Sequence, residues 1–136
     1  MKTSIRFGGA QIPVTPSQQK NVKSIKKAID WAAEHNVDYL VTPEASLSGY
    51  STSYYMDLQF LETNLREIES YAASKKVGLC LGTLWVEVDK EGDKKLLVKR
   101  NQIRFYTPEG KFLGAINKQV LTPFDLEIGI IKGEGL

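Results

Sequence analysis

Cysteine and histidine are nearly absent: of 136 residues one is a cysteine, Cys80, and one a histidine, His35. No internal disulfide can form, no thiolate cluster can hold zinc, and a two-histidine metal site is excluded. Any Ser-His or Cys-His pair would have to use His35 itself. An excess of one charge is missing too. Lys and Arg total 18 against 16 Asp and Glu, and the net charge of +2 is too weak a field to draw nucleic acid or an anionic membrane surface. No stretch approaches the roughly 18 to 20 apolar residues that span a bilayer. Met1 to Phe7 leads into no apolar segment of a secretory signal. The expectation is a cytoplasmic protein with no membrane and no nucleic-acid partner, whose chemistry rests on carboxylates and amines.

With 42% hydrophobic and 25% charged residues the composition is that of a globular protein, and the length fits one domain or a piece of one. Ser4 to Ile12 reads as a buried strand through Ile5, Phe7, Ala10 and Ile12, stopped by Pro13 and Pro16. Ser17 can cap a helix in which Val22, Ile25, Ile29 and Ala32/Ala33 recur every three to four residues, with lysines and acids opposite. Asn36 ends it, and Val37 to Thr42 is a short apolar strand closed by Pro43. That is a βαβ unit, and its crossover implies parallel strands. After a loop from Glu44 to Ser53, the spacing of Leu58, Leu61, Leu65, Ile68 and Ala72 predicts a second helix. Val77 to Trp85 predicts a second buried strand after it.

From there the pattern becomes a meander. A turn over 89–93, an alternating strand from Leu96 to Tyr106, a type I turn at Thr107-Pro108-Glu109-Gly110 and a return strand from Lys111 to Asn117 predict antiparallel pairing. The fold class is therefore α/β with a mixed sheet. The stretch Lys118 to Leu136 has no helical period and reads as a glycine-rich connection.

Glu44 follows directly on a parallel strand, where open α/β sheets gather their ligands, and is a candidate general base. Its plain alternative is a loop acid favouring the start of the next helix. Lys118 closes the return strand and can stabilise an oxyanion; its plain alternative is a solvated surface lysine. Asp125 and Glu127 add acidity a few residues on, as loop acids often do for solubility alone. Cys80 sits inside an apolar run and reads as core, with a thiol left inert by burial. His35 reads as a surface cap at a helix end. Gly8-Gly9 lacks the spacing of a phosphate-cradling loop, and the pairs Lys75-Lys76, Lys94-Lys95 and Lys99-Arg100 read as solvated charges.

Taken in order, these pieces resemble the N-terminal half of the nitrilase superfamily, the carbon-nitrogen hydrolases. The stretch Asp38 to Tyr50, with Pro43-Glu44 and Gly49-Tyr50, resembles the family's first catalytic motif, and the resemblance assigns Glu44 as general base. Gly82-Thr83, Asn101, Pro108-Glu109-Gly110 and Lys118-Gln119-Val120-Leu121 with Pro123 resemble the path into the second motif, whose lysine steadies the tetrahedral intermediate. That assigns Lys118. The family's second glutamate falls nearest Glu127, with Asp125 as its substitute.

The resemblance further implies a four-layer α/β/β/α sandwich, of which residues 1–136 supply one helical layer and most of one sheet. It implies a small-molecule amide or nitrile substrate, and no cofactor or metal. The family's nucleophilic cysteine lies on a strand beyond the second motif, outside these residues, and Cys80 precedes Lys118 where that cysteine follows it. The 136 residues alone are therefore expected to be inactive, and an uncovered sheet face to favour a homo-oligomer or a complementary chain. A non-catalytic interaction module, an N-acyltransferase and a glutaminase are the alternatives.

Overall fold

A computed structural model describes residues 4–50, 57–91 and 94–134. The elements run β1 (Phe7–Gly9), α1 (Gln18–Glu34), β2 (Tyr39–Val41), α2 (Leu58–Ser74), β3 (Gly78–Glu91), β4 (Lys94–Tyr106), β5 (Phe112–Asn117) and α3 (Pro123–Glu127). The strands form one mixed sheet in the order β1-β2-β3-β4-β5. β1, β2 and β3 are parallel, and β3, β4 and β5 antiparallel.

Both crossover helices form for the reasons their sequences suggest. Ser17 caps α1 by accepting from the Lys20 amide, and Asp57 caps α2 by accepting from Phe60 at 2.9 Å. The apolar stripe Val22, Ile25, Ile29 and Ala32 of α1 meets Leu61, Leu65, Ile68 and Ala72 of α2 over Leu40, Leu79, Leu81 and Tyr106 of the sheet. Asn36, just past α1, turns the chain with a left-handed φ of 54°. His35 is the C-cap residue of α1 and Cys80 is buried in β3, both as expected.

Four readings change. The first strand shrinks to Phe7–Gly9, with Ile5 63% and Phe7 62% exposed. β1 is an edge strand: only Gly8 turns toward the helices, where a Cβ would already crowd Val37, and alternation sends Phe7 to the other face to stack on Tyr39. The β3–β4 ladder continues to Glu91↔Lys94, because antiparallel pairing extends through 89–91. Of the expected turn, Gly92 and Asp93 lie outside the described residues, as do 51–53 of the loop after Glu44.

Lys99 and Arg100 are buried in β4 rather than solvated. Lys99 Nζ donates to the Ile128 carbonyl, and Arg100 to the carbonyls of Ile131 and Lys132. The tail is not a plain connection either. It forms α3 and then returns to β4, where Ile131 N donates to Lys99 O at 2.8 Å. Among the described residues no helix is long and apolar enough to cross a membrane.

Candidate active site

The site lies where β2 and β5 end. Thr42 leaves β2 extended, as a residue before proline must, and its hydroxyl accepts from Gly82 N at 3.0 Å. Ser46 Oγ pairs with Thr42 Oγ1 at 2.7 Å and donates to Gly82 O, and Ser48 Oγ accepts from Leu84 N at 2.8 Å. Three small hydroxyl side chains thus fasten the segment 42–49 onto β3, and Glu44 stands at its tip. Ala45, next in sequence, is held in the left-handed region at φ 53°. A non-glycine residue keeps that conformation only where its surroundings enforce it, and Ala45 is fully buried beside Leu84, Ile128 and Ile130.

Lys118 is the first residue after β5. Its amide donates to Asn101 O at 2.8 Å and its carbonyl accepts from Gly133 N, so its backbone is fixed on both sides. The ammonium lies between two carboxylates, 2.8 Å from Glu44 Oε1 and 2.9 Å from Asp125 Oδ2. Asn101 Nδ2 donates to the same Glu44 oxygen. A cavity of about 280 Å³ opens beside them, walled by Thr42, Gly82, Ile103, Ile116 and Asn117.

Asp125 is 1% exposed and held by the start of α3. Thr122 caps that helix and Pro123 begins it. The capping box closes with Thr122 N and Oγ1 both donating to Asp125 Oδ2 at 2.8 Å. The sequence pattern Thr-Pro-Phe-Asp carries the signal for this short helix, which a reading of the tail as a connection passes over. Glu127 is exposed at the end of α3. Two residues apart on a helix means roughly 200° of rotation, so only one of the two acids can face Lys118. The structure brings Glu44, Lys118 and Asp125 together and leaves Glu127 outside.

The electrostatics follow from this geometry. Hydrogen bonds from Lys118 to Glu44 and then to Asp125 raise the lysine well above its ordinary value and keep it an ammonium. Burial pushes Asp125 up, but the Lys118 ammonium and the Thr122 donors outweigh it and bring the carboxyl down to about 2. Tyr50 is raised by burial first and then by the charge and hydrogen bonding of Glu44, and its ring packs edge-on to Phe124 of α3. Asn101 and Tyr50 both stand in the sequence motifs, but nothing in their spacing shows that they meet Glu44.

A model of the carbon-nitrogen hydrolase family matches residues 6–128. Among curated proteins none matches the sequence. Among solved structures, an amidase from Nesterenkonia sp. superimposes with a TM-score of 0.74 at 20% identity, covering 96% of this chain and 49% of its own. A cysteine-to-alanine mutant of the amidase from Nesterenkonia sp. AN1 in complex with butyramide gives 0.75 at 20% identity, over 96% and 49%. A glutamine-dependent NAD(+) synthetase from Cytophaga hutchinsonii gives 0.72 at 26% identity, over 94% of this chain and 22% of that one. The chain spans about half the length of the amidases, and its mixed sheet with helices is their fold. With the family match covering most of its length and the amidase fold reproduced, the chain belongs to the carbon-nitrogen hydrolase family.

Proposed function

We propose that the protein cleaves the carbon–nitrogen bond of a small amide or nitrile, with Glu44 as general base, Lys118 as the group that stabilises the oxyanion, and Asp125 as the acid that holds the lysine. The observation that carries this reading is the Lys118 ammonium bridged between Glu44 and the buried Asp125 at the mouth of a cavity. An ammonium raised in this way stays charged and donates, as an oxyanion requires, and does not act as a nucleophile.

The attacking thiol comes from outside these 136 residues in this reading. Cys80 is buried, and burial raises its thiol, the reverse of what a reactive cysteine needs. Glu44 takes the thiol proton, the thiolate attacks the amide carbon, and the negative charge on the former carbonyl oxygen falls to Lys118. The amine leaves with a proton returned by Glu44. Water activated by the same carboxylate then hydrolyses the thioester. The amidase and glutamine-dependent relatives favour an amide as the first substrate to try.

The test is ammonia release by the full-length protein from short aliphatic amides, nitriles and glutamine. Turnover abolished by both Glu44→Gln and Lys118→Ala is the expected result. Release unaffected by either variant overturns the assignment, and acyl transfer to an amine without hydrolysis would move the protein to the acyltransferase branch.

A further inference from the structure

Asn101 lies in the middle of β4, opposite Leu84 of β3, and is 3% exposed. Burying a primary amide costs free energy unless its donors are satisfied, and here the side chain donates to Glu44 Oε1. The carboxylate offers only acceptors, so the nitrogen end of the amide must be the end that faces it. The backbone of the same residue accepts from the amide of Lys118 at 2.8 Å, and the Lys118 ammonium meets the same Oε1 at 2.8 Å. One strand residue therefore fixes the carboxylate through its side chain and the root of the lysine through its carbonyl. Both N–H donors end on one oxygen of Glu44.

We infer that Asn101 is a positioning residue of this site: its amide pins Glu44 Oε1 beside the ammonium and leaves Oε2 as the oxygen that takes the thiol proton. The inference rests on the reading of Glu44 as base. In the proton transfer, the hydrogen leaves sulfur and arrives on Oε2, the thiolate remains, and neither bond to Oε1 has to break. A base that need not reorganise at the moment of transfer keeps the geometry on which effective concentration depends. Without the amide, the glutamate of a partly exposed loop keeps only the Lys118 ammonium, which Asp125 shares, and the Tyr50 phenol beside it. Among the described residues, Lys118, Tyr50 and, through the lysine, Asp125 are the other titratable groups facing Glu44.

Two measurements on the full-length protein test this. The first is the pH profile of kcat/KM on butyramide for Asn101→Ala and for the nearly isosteric Asn101→Asp, which guards against a variant that fails to fold. Loss of a donor to a carboxylate favours its protonated form. The acid limb should therefore move to higher pH in both, further in Asn101→Asp. The value of kcat should fall by roughly 10- to 100-fold, with KM within about twofold. An unmoved acid limb overturns the inference, because a purely structural role lowers activity without shifting it.

The second measurement does not need turnover. The side-chain amide resonances of Asn101 should follow pH in the wild type and cease to do so in Glu44→Gln. Amide signals indifferent to Glu44 overturn the inference. If the wild type releases no ammonia, the amidase reading fails by itself, and these resonances alone decide whether the amide pins the carboxylate.

Discussion

The carbonyl oxygen of Pro43 lies 2.1 Å from where a Cβ on Gly82 would stand, and the Glu44 Cα lies 2.9 Å from it. The segment carrying Glu44 rests on bare backbone of β3, held there by Thr42 and Ser46. Gly82 is required for this close approach, which leaves no room for a methyl group.

Gly82→Ala should therefore be far more damaging than a one-carbon change suggests. The added carbon meets backbone, which cannot rotate away, so either β3 or the 42–49 segment must shift. Overpacking of this kind costs about 1 to 3 kcal/mol or more. Urea titration should show a lower midpoint, and amide turnover should drop with it because Glu44 moves. The same change at Gly9 of β1, where a Cβ meets nothing within 4 Å, is the control and should leave the midpoint nearly unchanged.

Much of this could be read in the sequence. Both helices, the Ser17 cap of the first, the parallel start and the antiparallel finish follow from period and punctuation, because Val22, Ile25 and Ile29 or Leu61, Leu65 and Ile68 repeat on one face. Glu44 and Lys118 came from motif order. The failures share a physical cause: they concern positions whose environment is set by distant parts of the chain. Lys99 and Arg100 look like surface charges until the returning tail supplies carbonyls for them. Phe7 looks buried until β1 turns out to be the edge of the sheet. The resemblance puts the second acid nearest Glu127 with Asp125 as its substitute, and only the helix started at Thr122 shows that Asp125 is the one turned to the lysine.

That decision can be tested by pH. Asp125 has an ordinary value of 3.8 and is held at about 2 in the fold. A carboxyl depressed on folding stabilises the protein fully above its unfolded value, and that contribution is lost as pH falls through the folded one. The window is thus about pH 4 down to about 2, and the contribution at neutral pH is on the order of 2 kcal/mol. Asp125→Asn should lower the unfolding free energy at pH 7 and flatten its fall below pH 4. Glu127→Gln should leave the acid-side slope as it is. A steeper change from Glu127→Gln than from Asp125→Asn would assign the lysine's partner to the wrong acid.

Cys80 permits a prediction about where the nucleophile is not. It pairs with Val41 on one side and Phe105 on the other, and the residue is 7% exposed. Burial alone raises that thiol, so at neutral pH little thiolate is available, and the low exposure of the residue leaves a reagent little surface to reach. Iodoacetamide should leave Cys80 unmodified in the native protein and alkylate it once urea opens the sheet, as peptide mass spectrometry would read directly. Cys80→Ala should then keep kcat while costing about 1 kcal/mol of stability for the lost sulfur contacts. Fast native labelling at Cys80, or loss of turnover with the fold intact in Cys80→Ala, would place the reactive sulfur inside these residues and remove the need for a thiol beyond them.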